Sequence, residues 1–208
     1  FLKKYSFYGY SFFLLFFCFQ CNQSSEKPTP ATKIHLDPVQ YSYQKYFKQH
    51  QLKDYTYTQG AMIFSVRGGR LGGNTPGIPK KIPSQNNPLG THLHLNLDNV
   101  NHRRSNRNKV EIPIENGQHK LFSFLCGSDY ISIKNKDAQL CKNITIHSGQ
   151  LIKSNNLGNK YLIYNAPLGE FNLNDSLKVI LDFVLFNTNL GPDSNYVELT
   201  INNILIKN

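Results

Sequence analysis

The chain has 208 residues, 39% of them hydrophobic, and it contains no long charged or low-complexity tract. This composition excludes a disordered chain and predicts a globular domain with a substantial core. The formal net charge of +10 favours contact with anionic surfaces such as phospholipid headgroups, acidic glycans or nucleic acid. For a domain that is exported, as residues 1–20 indicate below, an anionic envelope component is an expected partner and nucleic acid is not.

Residues 1–20 have the pattern of a secretory signal peptide. Lys3 and Lys4 form a cationic start, and an apolar run occupies residues 12–17. A run of this length is too short to cross the ~30 Å hydrocarbon core of a bilayer comfortably. The pattern therefore predicts export, with residues 21–52 as a tether and residues 53–208 as the folded domain.

Cys21 follows this segment and precedes a polar stretch that contains proline. The arrangement resembles a bacterial lipoprotein signal, in which the cysteine at the cleavage point is diacylated. The resemblance implies lipidation of Cys21, the membrane as a partner, and a lipid-anchored location in the cell envelope, in the periplasm or at the outer surface. Residues 18–20 depart from the usual aliphatic, small, small triplet, so an uncleaved anchor or a plain signal peptide stays open. Either of these would also export the domain.

The hydrophobic period changes along the rest of the chain. Helical spacing within residues 39–52 indicates one short amphipathic helix, and it involves Val39, Tyr43, Tyr46 and Phe47. From Tyr55 the period becomes two, which is typical of strands. Residues 68–90 are rich in glycine and proline and are predicted to form a long loop.

Alternating strands are predicted at residues 55–66, 93–97, 110–115, 121–125, 140–146, 161–164, 177–187 and 196–206. Short strands at this spacing, with a hairpin turn at Asn116 and Gly117, predict an all-β fold, an antiparallel immunoglobulin-like β-sandwich. Residues 177–187 are apolar on both faces, which predicts a central strand.

His92 and His94 are the sharpest chemical feature of the sequence. Two residues apart on one strand, they lie on the same side and about 6 to 7 Å apart, so they could share a metal ion with a third ligand. His119 is the expected third ligand, and His147, His102 and Asp98 are more distant candidates. The alternative is that the histidines occupy the solvated face of the sheet, because the leucines between them already claim the core.

Cys126 and Cys141 belong to a domain that is predicted to be exported, and an oxidising compartment lets thiols pair. A disulfide between them would close a loop of about 15 residues and contribute roughly 3 kcal/mol. The alternative is two separate buried thiols.

A basic run between two predicted strands contains Arg103, Arg104 and Arg107. We expect a cationic loop, which could bind an anionic ligand by bidentate arginine contacts. The alternative is a solvated surface that keeps the protein soluble.

Three segments of the chain carry a family resemblance. GTHLHLNLDN at residues 90–99, NGQHKL at residues 116–121 and the segment 181–190 resemble exported bacterial lipoproteins of an immunoglobulin-like β-sandwich family with no established function. The resemblance covers roughly residues 90–203. It implies the fold and the exported location, and it carries no activity over to this chain.

The sequence contains no nucleophile elbow, and its carboxylates are too scattered to nominate an acid and base pair. We therefore expect a non-enzymatic, envelope-anchored domain that binds or scaffolds a ligand and needs no cofactor. One alternative is a periplasmic protein that binds copper or zinc through the histidines. The other is an anionic-ligand binder that uses the arginines.

Overall fold

The computed structural model describes residues 42–78, 89–167, 180–191, 193–201 and 204–206. All of them belong to one compact unit, Pro38–Lys207. The predictions for the signal segment and for lipidation of Cys21 lie outside the described residues. None of the helices within the described ranges has the length and hydrophobicity that a membrane span requires.

Two 3₁₀ helices, Ser42–Phe47 and Lys136–Ala138, accompany a structure that is otherwise antiparallel β. The first lies within the segment for which the sequence predicts a short helix. Twelve strands are described: β1 Gln51–Thr58, β2 Ala61–Arg67, β3 His92–Leu97, β4 Asn101–Ser105, β5 Lys109–Glu111, β6 Gly117–Cys126, β7 Gln139–His147, β8 Gln150–Asn156, β9 Tyr161–Ala166, β10 Asp182–Phe186, β11 Leu199–Ile201 and β12 Ile204–Ile206.

Eight of these strands form one sheet in the order β4-β3-β6-β7-β8-β1-β2-β5. The two edge strands, β4 and β5, are neighbours in the chain and are joined by the short turn at residues 106–108. The backbone N–H of Phe64 on β2 donates to the carbonyl oxygen of Asn108 in that turn, at 2.8 Å. The sheet therefore curls until its edges approach, and it is nearly closed.

The curled sheet encloses the larger hydrophobic core. Strand alternation sends every second residue of β3 and β6 inward, and Leu93, Leu95, Leu121 and Leu125 are fully buried there. The inner face is apolar because it has no access to water, and burying each leucine contributes roughly 1.5 to 3 kcal/mol.

A smaller second layer covers part of the outer face of this sheet. Strands β9 and β10 form a two-stranded antiparallel sheet, and their Ile163 and Val184 pack with Phe122 and Phe124 of β6. The part of β6 from residue 121 to residue 126 is thus buried on both of its faces, and the outer face of its neighbour β3 is also removed from solvent.

The prediction of a mostly antiparallel β fold is confirmed, but the immunoglobulin-like sandwich is not. Alternation determines which face a side chain occupies, whereas the closure of a sheet depends on how its edge strands meet. The central position predicted for residues 177–187 is wrong for the described part, because β10 pairs only with β9 among the described strands. Phe183 and Leu185 on its other face are half-buried.

Candidate metal centre

Strand β3 places His92 and His94 on the outer face of the sheet, because the leucines between them fill the inner face. In the antiparallel register with β6, His92 lies opposite Cys126 and His94 lies opposite Phe124. Directly opposed residues project to the same face. The pairing of β3 with β6 therefore brings one thiol beside two imidazoles.

These three side chains are completely buried. His92, His94 and Cys126 have exposed fractions of 0%. The ring of Phe124 stacks on His94 at 4.8 Å between centroids, and Tyr130 packs edge-on against His92 at 5.8 Å. The interpretation of the histidine face as a solvated surface is therefore wrong, since the outer face of β3 is covered.

The guanidinium of Arg104 lies 5.7 Å from the centroid of the Tyr130 ring. Arg104 is on β4, directly opposite His94, and it is exposed. Tyr130 adopts a left-handed backbone conformation with φ of 65° in the turn after β6, which turns its ring toward His92. Arg104 and Tyr130 thus form a cover between the histidine pair and solvent.

Three imidazoles form a continuous hydrogen-bonded chain. Nδ1 of His92 lies 2.8 Å from the carbonyl oxygen of Gly90, the Nε2 atoms of His92 and His94 lie 2.9 Å apart, and Nδ1 of His94 lies 2.9 Å from Nε2 of His102. The Gly90 carbonyl can only accept, so Nδ1 of His92 donates. It follows for neutral rings that His94 donates from Nε2 to His92, and that His102 donates from Nε2 to Nδ1 of His94.

Burial keeps these rings neutral. It lowers the pKa of His92 to about 4, with a smaller lowering contribution from the positive charge of Arg104. Burial, followed by the neighbouring histidines and Arg104, lowers the pKa of His94 well below its usual value. The pKa of His102 is also lowered, again mainly by burial. Neutral imidazole is the form that binds metal, so protons do not compete for these nitrogens at neutral pH.

Burial, and then the charge of Asp182, raises the pKa of Cys126 well above its usual value. The thiol therefore stays protonated and unreactive unless a cation displaces its proton. Asn165 reaches the same sulfur, with its Nδ2 at 3.6 Å from Sγ of Cys126. That amide nitrogen also donates to Asp182 at 2.7 Å and to the carbonyl oxygen of Tyr130 at 2.8 Å. The sulfur thus lies at the edge of a well-connected polar network.

Asp182, at the start of β10, is the acceptor at the centre of that network. One carboxylate oxygen accepts from the backbone N–H of Ser132 and from Asn165, and the other accepts from the hydroxyl of Ser132 and from the ammonium of Lys134. Asp182 is 4% exposed, so this pairing offsets the penalty for burying its charge. The network anchors β10 beside the thiol.

The donor atoms fit a metal ion. One ring nitrogen of each histidine and Sγ of Cys126 all lie within 4.8 Å of one another. Two nitrogens held ~2.1 Å from a common ion at trigonal or tetrahedral angles are roughly 3.4 to 3.6 Å apart, so the Nε2 atoms, now 2.9 Å apart, would separate by roughly 0.5 to 0.7 Å. Nδ1 of each histidine already has a hydrogen-bond partner that is not itself a proposed ligand, Gly90 for His92 and His102 for His94. Histidines that bind metals usually have such an outer partner.

His119 lies apart from this cluster. Its Nδ1 is 2.7 Å from a carboxylate oxygen of Asp98, and its Nε2 donates to the carbonyl oxygen of Glu115. His119 is five positions before Phe124, the residue opposite His94, and this separation corresponds to roughly 17 Å along the strand. The structure therefore brings together His92 and His94, adds Cys126, and places His102, one of the more distant candidates, beside His94. His147 lies exposed at the end of β7.

The predicted disulfide between Cys126 and Cys141 is wrong, since both thiols are free. Cys141 on β7 lies opposite Phe122, four positions before Cys126 on β6. Four strand residues span roughly 13 Å, whereas disulfide-bonded Cα atoms are usually about 5.5 to 6 Å apart. Burial also raises the pKa of Cys141 to about 11, so neither thiol is disposed to react.

The basic run does not form a loop as predicted. Arg103 and Arg104 belong to β4, and only Arg107 lies in the turn that follows. Arg104 shares the outer face with His94, while Arg103 lies opposite Leu95 and projects to the other side. The three guanidinium groups therefore do not converge on one ligand position.

No family model, curated protein or solved structure matches this chain. The class of protein is therefore defined by the fold and the site alone. It is a mostly antiparallel β domain whose outer sheet face buries two histidines and a cysteine within reach of one another.

Proposed function

We propose that this protein binds one copper or zinc ion through His92, His94 and Cys126. The observation that carries the proposal is the convergence of two imidazole nitrogens and one sulfur at a fully buried position. Imidazole and thiolate are the ligands that zinc and copper prefer. Binding would replace the hydrogen bond between the two Nε2 atoms and would release the proton of the Cys126 thiol.

The outer partners support the same proposal. With an ion on both Nε2 atoms, Nδ1 of His92 keeps its hydrogen bond to Gly90, and Nδ1 of His94 becomes the donor to Nε2 of His102. Nδ2 of Asn165 lies 3.6 Å from Sγ of Cys126, and the positive end of this amide dipole favours the thiolate over the thiol. These contacts orient all three ligands before the ion arrives.

We propose binding rather than catalysis, because the three ligands have no exposed surface on which a substrate could reach the ion. The signal-like residues 1–20 and Cys21 support a place for this domain outside the cytosol, tethered to a membrane by lipid. A buried thiol suits that location, since burial protects it from oxidation. The scaffolding role expected from the sequence stays a prediction.

The test is metal uptake by the full chain after chelation and reduction. We expect calorimetry and elemental analysis to show one ion per chain, and we expect His94→Gln and Cys126→Ser to abolish uptake. Cys141→Ser is the matched control, because it removes the other described thiol and leaves the site intact. Folded protein that takes up neither ion, or uptake that both site variants retain, would refute the proposal.

A further inference from the structure

The ligand set also bears on which ion the site holds, and this question rests on the proposed function. The described residues place three metal-binding side chains in one group, and these are His92, His94 and Cys126. Zinc in structural sites is almost always bound by four protein ligands, whereas catalytic zinc keeps a position for water. The fully buried trio matches neither arrangement.

Two further donors beside the trio, Asp182 and His102, are already engaged. Both oxygens of Asp182 accept hydrogen bonds from Ser132, and one of them also holds Lys134. Nε2 of His102 is committed to His94 as its outer partner. For either of these two side chains to become a fourth ligand, it would have to break one of these contacts. A three-coordinate ion breaks none.

The charge of the site favours a monovalent ion. A thiolate with a monovalent cation is neutral, whereas a thiolate with a divalent cation leaves one positive charge in a position without solvent. The neighbouring Arg104 is itself positive and lies opposite His94. The nearby anion, Asp182, is already paired with Lys134. A neutral complex therefore avoids both the desolvation of a charge and its repulsion by Arg104.

We infer that the ion is copper in its monovalent state, held in a three-coordinate arrangement by two histidines and one thiolate. Soft thiolate ligands select Cu(I), and two histidines with one cysteine form a known trigonal copper arrangement. The binding step is balanced: the thiol S–H bond breaks, a copper–sulfur bond forms, and one proton leaves to solvent for each ion bound.

The test is a pair of competition titrations on the full chain, metal-free and reduced under anaerobic conditions. Bicinchoninate competes for Cu(I), and a chromophoric zinc chelator competes for Zn(II). We expect one Cu(I) per chain with release of one proton, and a preference of more than ~100-fold over Zn(II). X-ray absorption should show two nitrogen neighbours and one sulfur neighbour.

Arg104→Gln tests the charge argument directly. Removing this cation is expected to raise the affinity for Zn(II) several-fold and to change the affinity for Cu(I) little. Arg103→Gln is the matched control, because this arginine is the next residue on β4 and projects to the opposite face. Equal changes for the two ions in Arg104→Gln would contradict the charge argument.

The outcomes separate this inference from the proposed function. Zn(II) bound as tightly as Cu(I), or a four-coordinate spectrum, overturns the assignment to monovalent copper and leaves the metal site standing. Binding of neither ion by the folded wild-type chain overturns both. The wild-type titrations need no variant, so a folding defect in a variant cannot obscure either result.

Discussion

Strand β3 and the second part of β6, residues 121–126, present two faces that are both buried but chemically different. The inner face carries only leucines on β3, whereas the outer face carries His92 and His94, with Cys126 opposite on β6. An apolar core tolerates hydrophobic exchange when volume is kept, while a buried polar cluster requires each group to keep its partner. The inner face should therefore determine stability, and the outer face should determine ligand binding.

The largest expected effect comes from breaking the inner face. Leu95→Ala deletes a fully buried side chain inside the curled sheet, and we expect it to lower the free energy of unfolding by about 2 to 5 kcal/mol. Urea denaturation measures this change. Ile152→Ala on β8 is the control, because Ile152 is 61% exposed and its removal should change stability by less than about 0.5 kcal/mol. Similar losses in both variants would contradict the assignment of the core.

Acid should destabilise the metal-free protein through His92 on the outer face. The pKa of His92 is about 4 in the folded chain, against 6.5 for an unperturbed histidine such as that of the unfolded chain. Between these values the unfolded chain binds more protons, so stability falls as the pH drops from about 6.5 to 4. His92 lowers the free energy of unfolding by about 3 kcal/mol as the pH falls across that window. Below pH 4 both states bind the proton, so the loss does not grow further.

The acid effect must be measured as a difference. Burial raises the pKa of Asp129 from 3.8 to about 6, so Asp129 opposes His92 by adding stability as the pH falls over most of the same window. Denaturation of wild type and of His92→Gln at several pH values isolates the histidine, because Asp129 is common to both. Parallel pH profiles would show that His92 titrates normally and that its environment differs from the one described.

The two faces also differ in how far the sequence predicts them. Alternating leucines predict β3 correctly and place both histidines on the face away from the core. The same rule misses β4 and β8, because these strands are mostly exposed and carry polar residues on both sides. Backbone hydrogen bonds hold β4 against β3 and β8 against β7, and the amino-acid composition of a strand does not reveal such pairing.

Cys126, the third residue of the proposed site, is not predicted as a ligand for a related reason. The sequence predicts His119, because it follows a recognisable hairpin turn, but the register of β3 against β6 is set by contacts between residues about thirty positions apart. That register puts Cys126 opposite His92. The sequence also favours Cys126 as half of a disulfide, and the pairing of β6 with β7 shows that Cys141 is too far away for this. A sequence pattern gives the face of each strand but not its register.

Adding the ion sharpens the contrast between the faces. A ligand that binds only the folded state stabilises it by about 2.7 kcal/mol at a free concentration one hundred times its dissociation constant. We expect Cu(I) to raise the unfolding free energy by this amount in wild type and in Leu95→Ala, because the inner face contributes no ligand. Cys126→Ser should show no gain. A gain in Cys126→Ser equal to that in wild type would mean that the ion binds elsewhere.

The smallest expected effect concerns His102, which contacts the site without belonging to the ligand trio. His102→Ala removes the partner of Nδ1 on His94, and loss of such an outer contact usually weakens metal binding 10- to 100-fold, or about 1.4 to 2.7 kcal/mol. His102→Gln should restore part of this affinity, since its amide oxygen can accept the same hydrogen bond.

Competition titration of both His102 variants decides between two roles of this residue. If His102 only filled space, alanine and glutamine would differ in stability but bind the ion equally well. If His102 orients His94, wild type should bind the ion most tightly, His102→Gln less tightly and His102→Ala least tightly. The unfolding free energies of the three proteins should not follow that order.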